Sequence, residues 1–335
     1  MRTVNNIFDK TFTFEALLKA YRRARRGKQC RDEVLKFTDK LEENILQLQR
    51  ELFAGTYKTG EYRHFFVHDA KKRHIQAAPF RDRVVHQAIH ATLEPIFDKG
   101  FIFDSYACRI GKGTKAALVQ FEKFIKPESF VLTADISKYF ASIDHDILLA
   151  LLKKKISDKR MLTLCAMIIK SSNFDGEATG KGIPIGNLTS QLFANVYLNE
   201  LDQHMKHEVK VKKYIRYMDD MVCISDCKKE LAKVQKAMCF YVEEVLKLTM
   251  HPKKVQIVPV WVGIEYLGYR VFLQYRKLKQ GTVRRFVRRV TAVKEEVVSL
   301  ESVRAWYEYA GKAKTRGLLR ALSKKDGLST LAYLR

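Results

Sequence analysis

The sequence predicts an α+β fold in which helices pack on one face of a mixed, mainly antiparallel sheet. Between residues 128 and 272, strand-like apolar runs and helical patterns alternate in the order β-α-α-β-α-β, which suits such a sheet. The clearest pair of strands is the apolar segment Tyr214–Ile224, which the adjacent acids Asp219 and Asp220 interrupt as a hairpin turn would. A hydrophobic content of 47% over 335 residues is enough for a large core.

The first elements of the chain are predicted to be helices. Residues 13–53 carry apolar side chains at helical spacing, with Gly27 between two runs, so residues 1–55 form a helical extension. Its first helix is rich in arginine from Arg22 to Arg26, and this basic face is either solvated or turned toward phosphates. Both interpretations stay open.

Strand-like and helical segments then alternate. A strand-like segment runs from Gly55 to His68, a helix from Phe80 to Phe97, and a turn within 105–114 leads into the next helix. The glycines of that turn do not have the spacing of a dinucleotide-binding loop, so we predict no Rossmann or P-loop site.

The central segments alternate in the same way. A strand ends at Asp135, and residues 142–146 offer caps for a helix over Ile147–Lys155. The loop 180–187 opens a second long helix, the hairpin follows it, and a further helix covers Glu230–Leu246. Two strand-like runs flank Tyr266–Tyr269.

A basic amphipathic helix is predicted next, before a short basic helical stretch after Leu300. No acidic residue occurs from Tyr266 to Lys294, and valines and a phenylalanine recur on one helical face of this segment. The opposite face carries four arginines, which are Arg284, Arg285, Arg288 and Arg289. Such a face suits contacts to a nucleic-acid backbone, although a merely solvated face is the alternative.

Charge indicates the class of partner. The chain has 62 Lys and Arg against 37 Asp and Glu, a formal net charge of +25. This balance favours a polyanion, and for a folded chain nucleic acid is a better candidate than a membrane surface. No apolar stretch reaches the ~18 residues that a membrane-spanning helix needs, and no signal-peptide pattern opens the sequence. We therefore expect a cytoplasmic protein with no membrane partner.

Six cysteines lie scattered along the chain without a CxxC pair. This pattern predicts neither a zinc site nor disulfides, and we expect buried free thiols.

Three carboxylates are predicted to meet at one edge of the sheet. Asp219 and Asp220 occupy the hairpin turn, where adjacent negative charges repel unless a cation lies between them, and Asp135 ends another apolar strand. Such oxygen donors suit Mg²⁺ and hence phosphoryl transfer. A solvated hairpin tip is the alternative, and a metal-dependent nuclease would also fit three carboxylates.

The order of these motifs resembles that of reverse transcriptases over roughly residues 60–275. The motifs are the Asp135 strand, the loop and helix at Gly186–Gln191, the Tyr217–Asp220 turn, the Lys254 segment and Tyr266–Tyr269. The loop Ile185–Gln191 and the segment Asp82–His86 look like those of enzymes from diversity-generating retroelements. Group II intron relatives usually carry Gln where this chain has Ile185.

The resemblance implies a right-hand polymerase fold. Its fingers would span 56–127, its palm 128–272 with a finger insertion at about 156–184, and its short basic helical thumb 273–335. We expect no RNase H or endonuclease domain in the short stretch after Leu300.

The resemblance also implies the catalytic centre. Asp135, Asp219 and Asp220, with the backbone carbonyl of Ile136, would bind two Mg²⁺ ions. Lys254 would protonate the departing pyrophosphate, although Lys253 is an alternative.

Further roles carried over from the family concern the substrates. Arg73, with Lys71 or Lys72, would hold the triphosphate, while Arg109 would either help them or form a structural ion pair. Phe140 would be the steric gate against a 2′-hydroxyl. The other implied nucleotide contacts are Tyr139, Ile185, Gly186 and Gln191, and the implied primer grip is Tyr266, Leu267 and Gly268.

The function implied is RNA-templated, error-prone DNA synthesis with mutations at template adenines. The implied partners are template RNA, nascent cDNA, dNTP and a small basic accessory protein. We hypothesise that Ile185 lowers fidelity, because an aliphatic side chain removes hydrogen bonds worth about 1 kcal/mol each; simple packing of the loop is the alternative. Two interpretations compete with this one. The first is a related bacterial reverse transcriptase of group II intron, retron or phage-defence type, acting with or without a template. The second is a catalytically silent RNA-binding module.

Overall fold

A computed structural model describes residues 3–68, 72–171, 180–294, 300–315 and 317–318. The helices are α1 (Phe8–Thr11), α2 (Phe14–Ala24), α3 (Asp32–Asp39), α4 (Leu41–Ala54), α5 (Phe80–Asp98), α6 (Thr114–Phe124), α7 (Tyr139–Ser142), α8 (His145–Lys153), α9 (Lys159–Lys170), α10 (Leu188–Gln203), α11 (Lys228–Phe240), α12 (Gln280–Lys294) and α13 (Leu300–Gly311). Five-residue π-helical turns extend α10 and α11, over His204–Glu208 and Tyr241–Val245.

The strands form three separate sheets. They are β1 (Arg63–His68), β2 (Lys72–Ala77), β3 (Phe130–Ala134), β4 (Lys213–Tyr217), β5 (Asp220–Ser225), β6 (Gln256–Pro259), β7 (Ile264–Tyr266), β8 (Tyr269–Val271) and β9 (Arg276–Leu278). β1 pairs with β2, the central sheet has the order β4-β5-β3-β6, and the third has the order β7-β8-β9. Every ladder is antiparallel, and two isolated parallel bridges join Val4 to Ile156 and Ser105 to Arg216 on β4. The predicted α+β class with a mainly antiparallel sheet is confirmed.

The central sheet is covered on both faces. Because side chains alternate along a strand, Leu132 and Cys223 enter the main core on the first face, whereas Val131 and Val222 enter a second core on the other. Helices α5, α8, α10 and α11 contribute to the first core. The second core is closed by α6, the β7-β8-β9 sheet and α12. The predicted arrangement, with helices on one face of the sheet, therefore accounts for only one of its two covered faces.

The N-terminal helices share the main core with the sheet. Leu17 and Tyr21 of α2 are buried, and the ring of Tyr21 meets that of Phe80 on α5 edge-on at 6.0 Å. Asp158, the N-cap of α9, also accepts hydrogen bonds from the backbone N–H groups of Ile7 and Phe8 at 2.9 Å. The helical segment before residue 55 is therefore integral to the packed body.

Helix α12 has the predicted amphipathic character. Phe286 and Val290 are buried on the face that meets the second core, and the ring of Phe286 lies parallel to that of Trp306 on α13 at 5.9 Å. The arginines on the other side are described with the site below.

The cysteines do not all follow the prediction. All six are free, and Cys165 and Cys223 are buried, but Cys30, Cys108 and Cys227 are exposed. The prediction of buried thiols is wrong for these three, because they lie in connecting segments between helices and strands, where no core reaches them. Within the described residues, no helix combines the length and apolarity needed to cross a bilayer.

Candidate active site

Strand register brings two of the predicted acids together. The last pair between β3 and β5 joins Ala134 to Met221, so the next pair along the strands is Asp135 and Asp220. Both acids lie on the same face of the sheet as Val131 and Val222, and directly opposed residues of an antiparallel pair have Cβ atoms about 4.5–5.5 Å apart. The pairing register of β3 with β5 therefore accounts for the predicted approach of Asp135 to the acids of the hairpin.

Asp219 is held on the turn beside them. The β4–β5 ladder ends at the pair Tyr217 and Asp220, which leaves Met218 and Asp219 as a two-residue hairpin loop. Met218 takes the positive φ of 56° that such tight hairpins require. The loop thus projects Asp219 at the end of the sheet where Asp135 and Asp220 lie.

Asp135 and Asp220 line a cavity of about 310 Å³. The cavity lies between the end of the central sheet and the β7–β8 turn. Its lining includes Asp135, Asp220, Lys253, Lys254, Tyr266, Leu267 and Gly268. With Glu265 and Lys279, which also line it, three acids, three lysines and the predicted primer grip surround one space.

Asp135 already has a cationic partner. The Lys254 ammonium donates a hydrogen bond to its carboxylate, and the side chains are 39% and 7% exposed respectively. A carboxylate this buried needs a positive charge beside it, because an unpaired charge is costly to remove from water. The Lys254 backbone is fixed in turn by its N–H, which donates to the carbonyl of His251 at 3.1 Å.

The carbonyl of Ile136 faces the hairpin side of its strand. The N–H of His251 bonds the carbonyl of Asp135, and the N–H of Ser137 bonds the carbonyl of Thr249, so Ile136 and Met250 form a non-hydrogen-bonded pair. In such a pair the polar groups of the residue point away from its partner strand. The Ile136 carbonyl therefore points toward the side of β3 on which β5 lies.

The donors at this sheet end suit a hard cation in chemistry, although they are not a closed metal cage. All are carboxylate or carbonyl oxygens, and one carboxylate is paired with an ammonium group. Among the residues that the structure describes, no three His, Cys, Asp or Glu side chains are grouped so as to hold a metal ion by themselves. Mg²⁺ fits this arrangement, because proteins usually bind it through one or two carboxylates, with waters and substrate phosphates completing the shell.

A buried ion pair supports the hairpin from the helix-covered face. Arg216 on β4 is fully buried and donates from Nε and Nη2 to both oxygens of Asp202, at 2.7–2.9 Å. Its Nη1 reaches Asn195 Oδ1 at 3.1 Å and the carbonyl of Met218 at 3.2 Å, and Tyr214 donates to Asp202 at 2.8 Å. Burial opposes the charge of Arg216, but Asp202 outweighs it and the pKa of the guanidinium is raised.

This network was not predicted from the sequence. The only signal in the sequence was Arg216 itself, a charged residue within a strand. The alternation of side chains along the strand places it on the helix-covered face. It ties the turn that carries Asp219 to helix α10 through Asp202 and Asn195.

Backbone hydrogen bonds tie together three of the segments that carry the predicted nucleotide-binding residues. The N–H of Gln76 on β2 donates to the carbonyl of Ile185 at 2.9 Å, and the N–H of Ile183 donates to that of Phe140 at 2.9 Å. Gly186 has φ +128°, and a Cβ there would lie 2.9 Å from the Gln76 carbonyl oxygen. Only glycine allows this approach of the loop to β2.

The individual side chains differ in accessibility. Arg73 is exposed on β2, whereas Phe140, Ile185 and Gln191 are half-buried. Tyr139 is buried, and its hydroxyl donates to the Ala194 carbonyl at 2.6 Å, which favours a supporting role over the nucleotide contact that the resemblance implies. Lys71 lies outside the described residues.

The predicted primer grip is a tight turn between β7 and β8. Tyr266 and Tyr269 pair, and Leu267 and Gly268 between them have φ values of 47° and 85°. Tyr266 is buried with its ring 5.3 Å from that of Phe121. Burial, with the nearby charge of Asp220, raises the pKa of its hydroxyl well above the ordinary range.

The arginines of α12 lie mostly in solvent. Arg284, Arg288 and Arg289 are exposed, while Arg285 is half-buried and donates to Thr282 at 3.3 Å. This surface has the charge that a phosphate backbone requires.

Arg109 and the Asp82–His86 segment are structural in this fold. Arg109 bonds Asp98 at 2.5 Å and two backbone carbonyls, which matches the predicted alternative of an ion pair. Asp82 accepts hydrogen bonds from Tyr57 and the Gly60 N–H, and burial raises its pKa. His86 is buried without a hydrogen-bond partner among the described residues, and burial lowers its pKa to about 3.

Comparison with known proteins gives a family match over residues 66–271, more than half of the chain. The matching family is described as reverse transcriptase (RNA-dependent DNA polymerase). All three acids, Lys254 and the β7–β8 turn fall within the matched residues.

Individual relatives are more distant. The chain is 27% identical to protein YkfC of Escherichia coli over 266 residues, which are 67% of this chain and 70% of that protein. It is 22% identical to the group II intron-encoded protein LtrA of Lactococcus lactis over 312 residues. That match covers 73% of this chain but only 51% of the intron-encoded protein, so the chain spans about half the length of this relative.

Proposed function

The chain belongs to the reverse transcriptase family of RNA-dependent DNA polymerases, and on this premise we propose that it copies RNA into DNA at the cavity between the hairpin acids and the β7–β8 turn. The observation that carries the proposal is the register of Asp135 beside Asp220 on the wall of that cavity. Template RNA, nascent cDNA and dNTP are the partners it requires.

The residues divide the work by position. Asp135, Asp219 and Asp220, with the Ile136 carbonyl, would hold two Mg²⁺ ions, whose charge would neutralise the triphosphate and activate the primer hydroxyl. Lys254, which is held beside Asp135, donates a proton to the departing pyrophosphate.

Binding of the incoming nucleotide falls to the junction of β2 with the loop at Ile185. Arg73, with Lys71, neutralises the triphosphate, and Phe140 excludes a 2′-hydroxyl. Ile185, Gly186 and Gln191 border the nascent base pair. The backbone bond between Gln76 and Ile185 supports this arrangement, because it fixes the loop against the strand that carries Arg73.

The remaining surfaces would hold nucleic acid. Tyr266, Leu267 and Gly268 grip the primer end, and the arginines of α12 bind the backbone. This assignment divides the chain into a helical extension at 1–55, fingers at 56–127, a palm at 128–272 with an insertion near 156–184, and a thumb at 273–335.

We further propose that the synthesis is error-prone and serves a diversity-generating retroelement, with a small basic accessory protein. The support is Ile185, whose aliphatic side chain replaces an amide that would hydrogen-bond at this position in group II intron relatives. Sequencing of cDNA made from a defined RNA tests this proposal, and a uniform error spectrum without an excess at template adenines would reject it.

A second candidate is a polymerase of the group II intron type. The similarity to the group II intron-encoded protein of Lactococcus lactis favours it. Accurate copying through long structured RNA, with no bias at adenines, would support this alternative.

Primer extension on a defined RNA template tests the general function. The wild-type chain is expected to produce DNA complementary to the RNA, whereas Asp219→Asn abolishes synthesis and still binds RNA. Asp39→Asn is a matched control, because Asp39 is an exposed acid at the end of α3, outside the site. Nucleotide addition that ignores the template would overturn the proposal.

A further inference from the structure

Both carbonyls of the β7–β8 turn are held by the C-terminal helices. The Leu267 carbonyl accepts a hydrogen bond from the hydroxyl of Tyr309 on α13 at 2.8 Å. The Gly268 carbonyl accepts from the N–H of Lys279, which immediately precedes α12, at 3.1 Å and from Thr282 Oγ1 in the first turn of α12 at 3.3 Å. Contacts from Tyr309, Lys279 and Thr282 therefore fix the turn, which lines the same cavity as Asp135.

Tyr309 is itself fixed by the strand that follows the turn. The hydroxyl of Tyr269 donates to the backbone carbonyl of Tyr309 at 2.8 Å, and the two rings lie 4.7 Å apart. Each tyrosine thus bonds a backbone carbonyl of the other's segment. This reciprocal link crosses about forty residues of sequence and leaves Tyr309 little freedom to move independently of the turn.

Gly268 shows how close the contact is. A Cβ at this position would lie 2.1 Å from the Tyr309 hydroxyl oxygen, too short for any real contact. The φ of +85° also favours glycine. The tight turn and the tyrosine that caps it therefore depend on each other.

We propose that Tyr309 is a positioning residue for the primer terminus. It sets the position of the Leu267–Gly268 turn, which lies across the cavity from Asp135 and Asp220. This inference rests on the proposed function, because it assumes that the turn contacts the primer. Tyr309 touches no reacting atom and acts only through the turn.

The same arrangement links the turn to the basic helix. Thr282, which bonds Gly268, also accepts a hydrogen bond from Arg285 at 3.3 Å. A contact of Arg285 with the nucleic-acid backbone would thus be coupled to the turn through Thr282.

The variant Tyr309→Phe tests the proposal, because it removes one hydroxyl and keeps the ring. Loss of a single neutral hydrogen bond predicts dissociation of primer–template about three- to tenfold faster, measured with a competitor trap. The KM for dNTP is expected to stay within about twofold, since no nucleotide contact changes. Tyr275→Phe is the matched control, because Tyr275 is exposed in the same region. Its ring stacks on Phe272 at 4.8 Å and lies near the ammonium groups of Lys277 and Lys314, and a phenylalanine ring keeps these contacts.

A double-variant cycle separates positioning from folding. Gly268→Ala is expected to impair primer binding in the wild-type chain and to cost less in the Tyr309→Phe background, where the clashing hydroxyl is absent. Thr282→Val, which removes the other side-chain bond to the turn, is expected to act in the same direction.

The outcomes distinguish the two proposals. A wild-type chain that extends primers, with Tyr309→Phe releasing primer–template at the wild-type rate, would overturn the role of Tyr309 alone. Equal rises in the KM for dNTP and in primer release would also overturn it, because they indicate general loss of structure. Failure of the wild-type chain to copy RNA would reject the proposed function itself.

Discussion

Replacing Arg216 with methionine is the most revealing perturbation of the fold beneath the site. Arg216 and Asp202 are both fully buried, and the guanidinium makes three hydrogen bonds to the carboxylate. In Arg216→Met the Asp202 carboxylate stays in the core, and of the donors described above only the Tyr214 hydroxyl remains. The hairpin also loses the donor that bonds the Met218 carbonyl.

The expected cost follows from the burial of the pair. Removing one partner of a fully buried ion pair costs about 3–5 kcal/mol of unfolding free energy, because the other charge is left uncompensated. Replacing both partners with apolar residues of similar size is often nearly neutral. We therefore expect Arg216→Met to be strongly destabilised and the double variant Arg216→Met/Asp202→Leu to recover most of the wild-type stability.

Urea unfolding followed by circular dichroism measures these free energies, and primer extension measures the function of the hairpin. The double variant is expected to regain stability but not full extension, because the Met218 carbonyl and Asn195 still lack their donor. Arg50→Met is a matched control on the exposed surface of α4. A loss below about 1 kcal/mol in the single variant would refute the reasoning about burial.

Three further predictions concern pH, the lysine and fidelity. His86 has a folded pKa of about 3, below its ordinary value of 6.5, so the unfolded chain takes up a proton first and stability is lost as pH falls from 6.5 toward 3. At pH 5 the loss is about 2 kcal/mol, and His86→Leu should flatten this dependence in urea titrations; an unchanged slope would contradict it. Lys254→Met leaves Asp135 without its ammonium partner, so Mg²⁺ should raise the melting temperature more in this variant than in the wild type, and equal shifts would argue against the pairing. Ile185→Gln should reduce misincorporation opposite template adenines in sequenced cDNA, a hypothesis that an unaltered error spectrum would exclude.

The sequence was most informative where spacing along a strand determines position. Two acids between apolar runs predicted a hairpin, and an acid at the end of another strand predicted their convergence, because register follows from alternation. The arginine face of α12 was likewise readable from its period. These features depend on neighbours in sequence.

Long-range contacts escaped prediction for a physical reason. The bond from Tyr309 to the Leu267 carbonyl joins residues 42 positions apart, and no local pattern encodes such a contact. Arg216 in a strand gave no indication of its partner Asp202 on α10. The second covered face of the sheet was missed because α6 and the β7-β8-β9 sheet reach it only through the tertiary fold.

Calorimetric titration of Mg²⁺ tests the central claim most directly, with the chain bound to primer–template and a non-hydrolysable dNTP analogue. The wild-type chain is expected to bind two ions per complex, and Asp135→Asn and Asp219→Asn are each expected to weaken or remove this binding while Asp39→Asn leaves it intact. Unchanged stoichiometry and affinity in both site variants would contradict the assignment of these acids as the metal-holding centre of an RNA-copying enzyme.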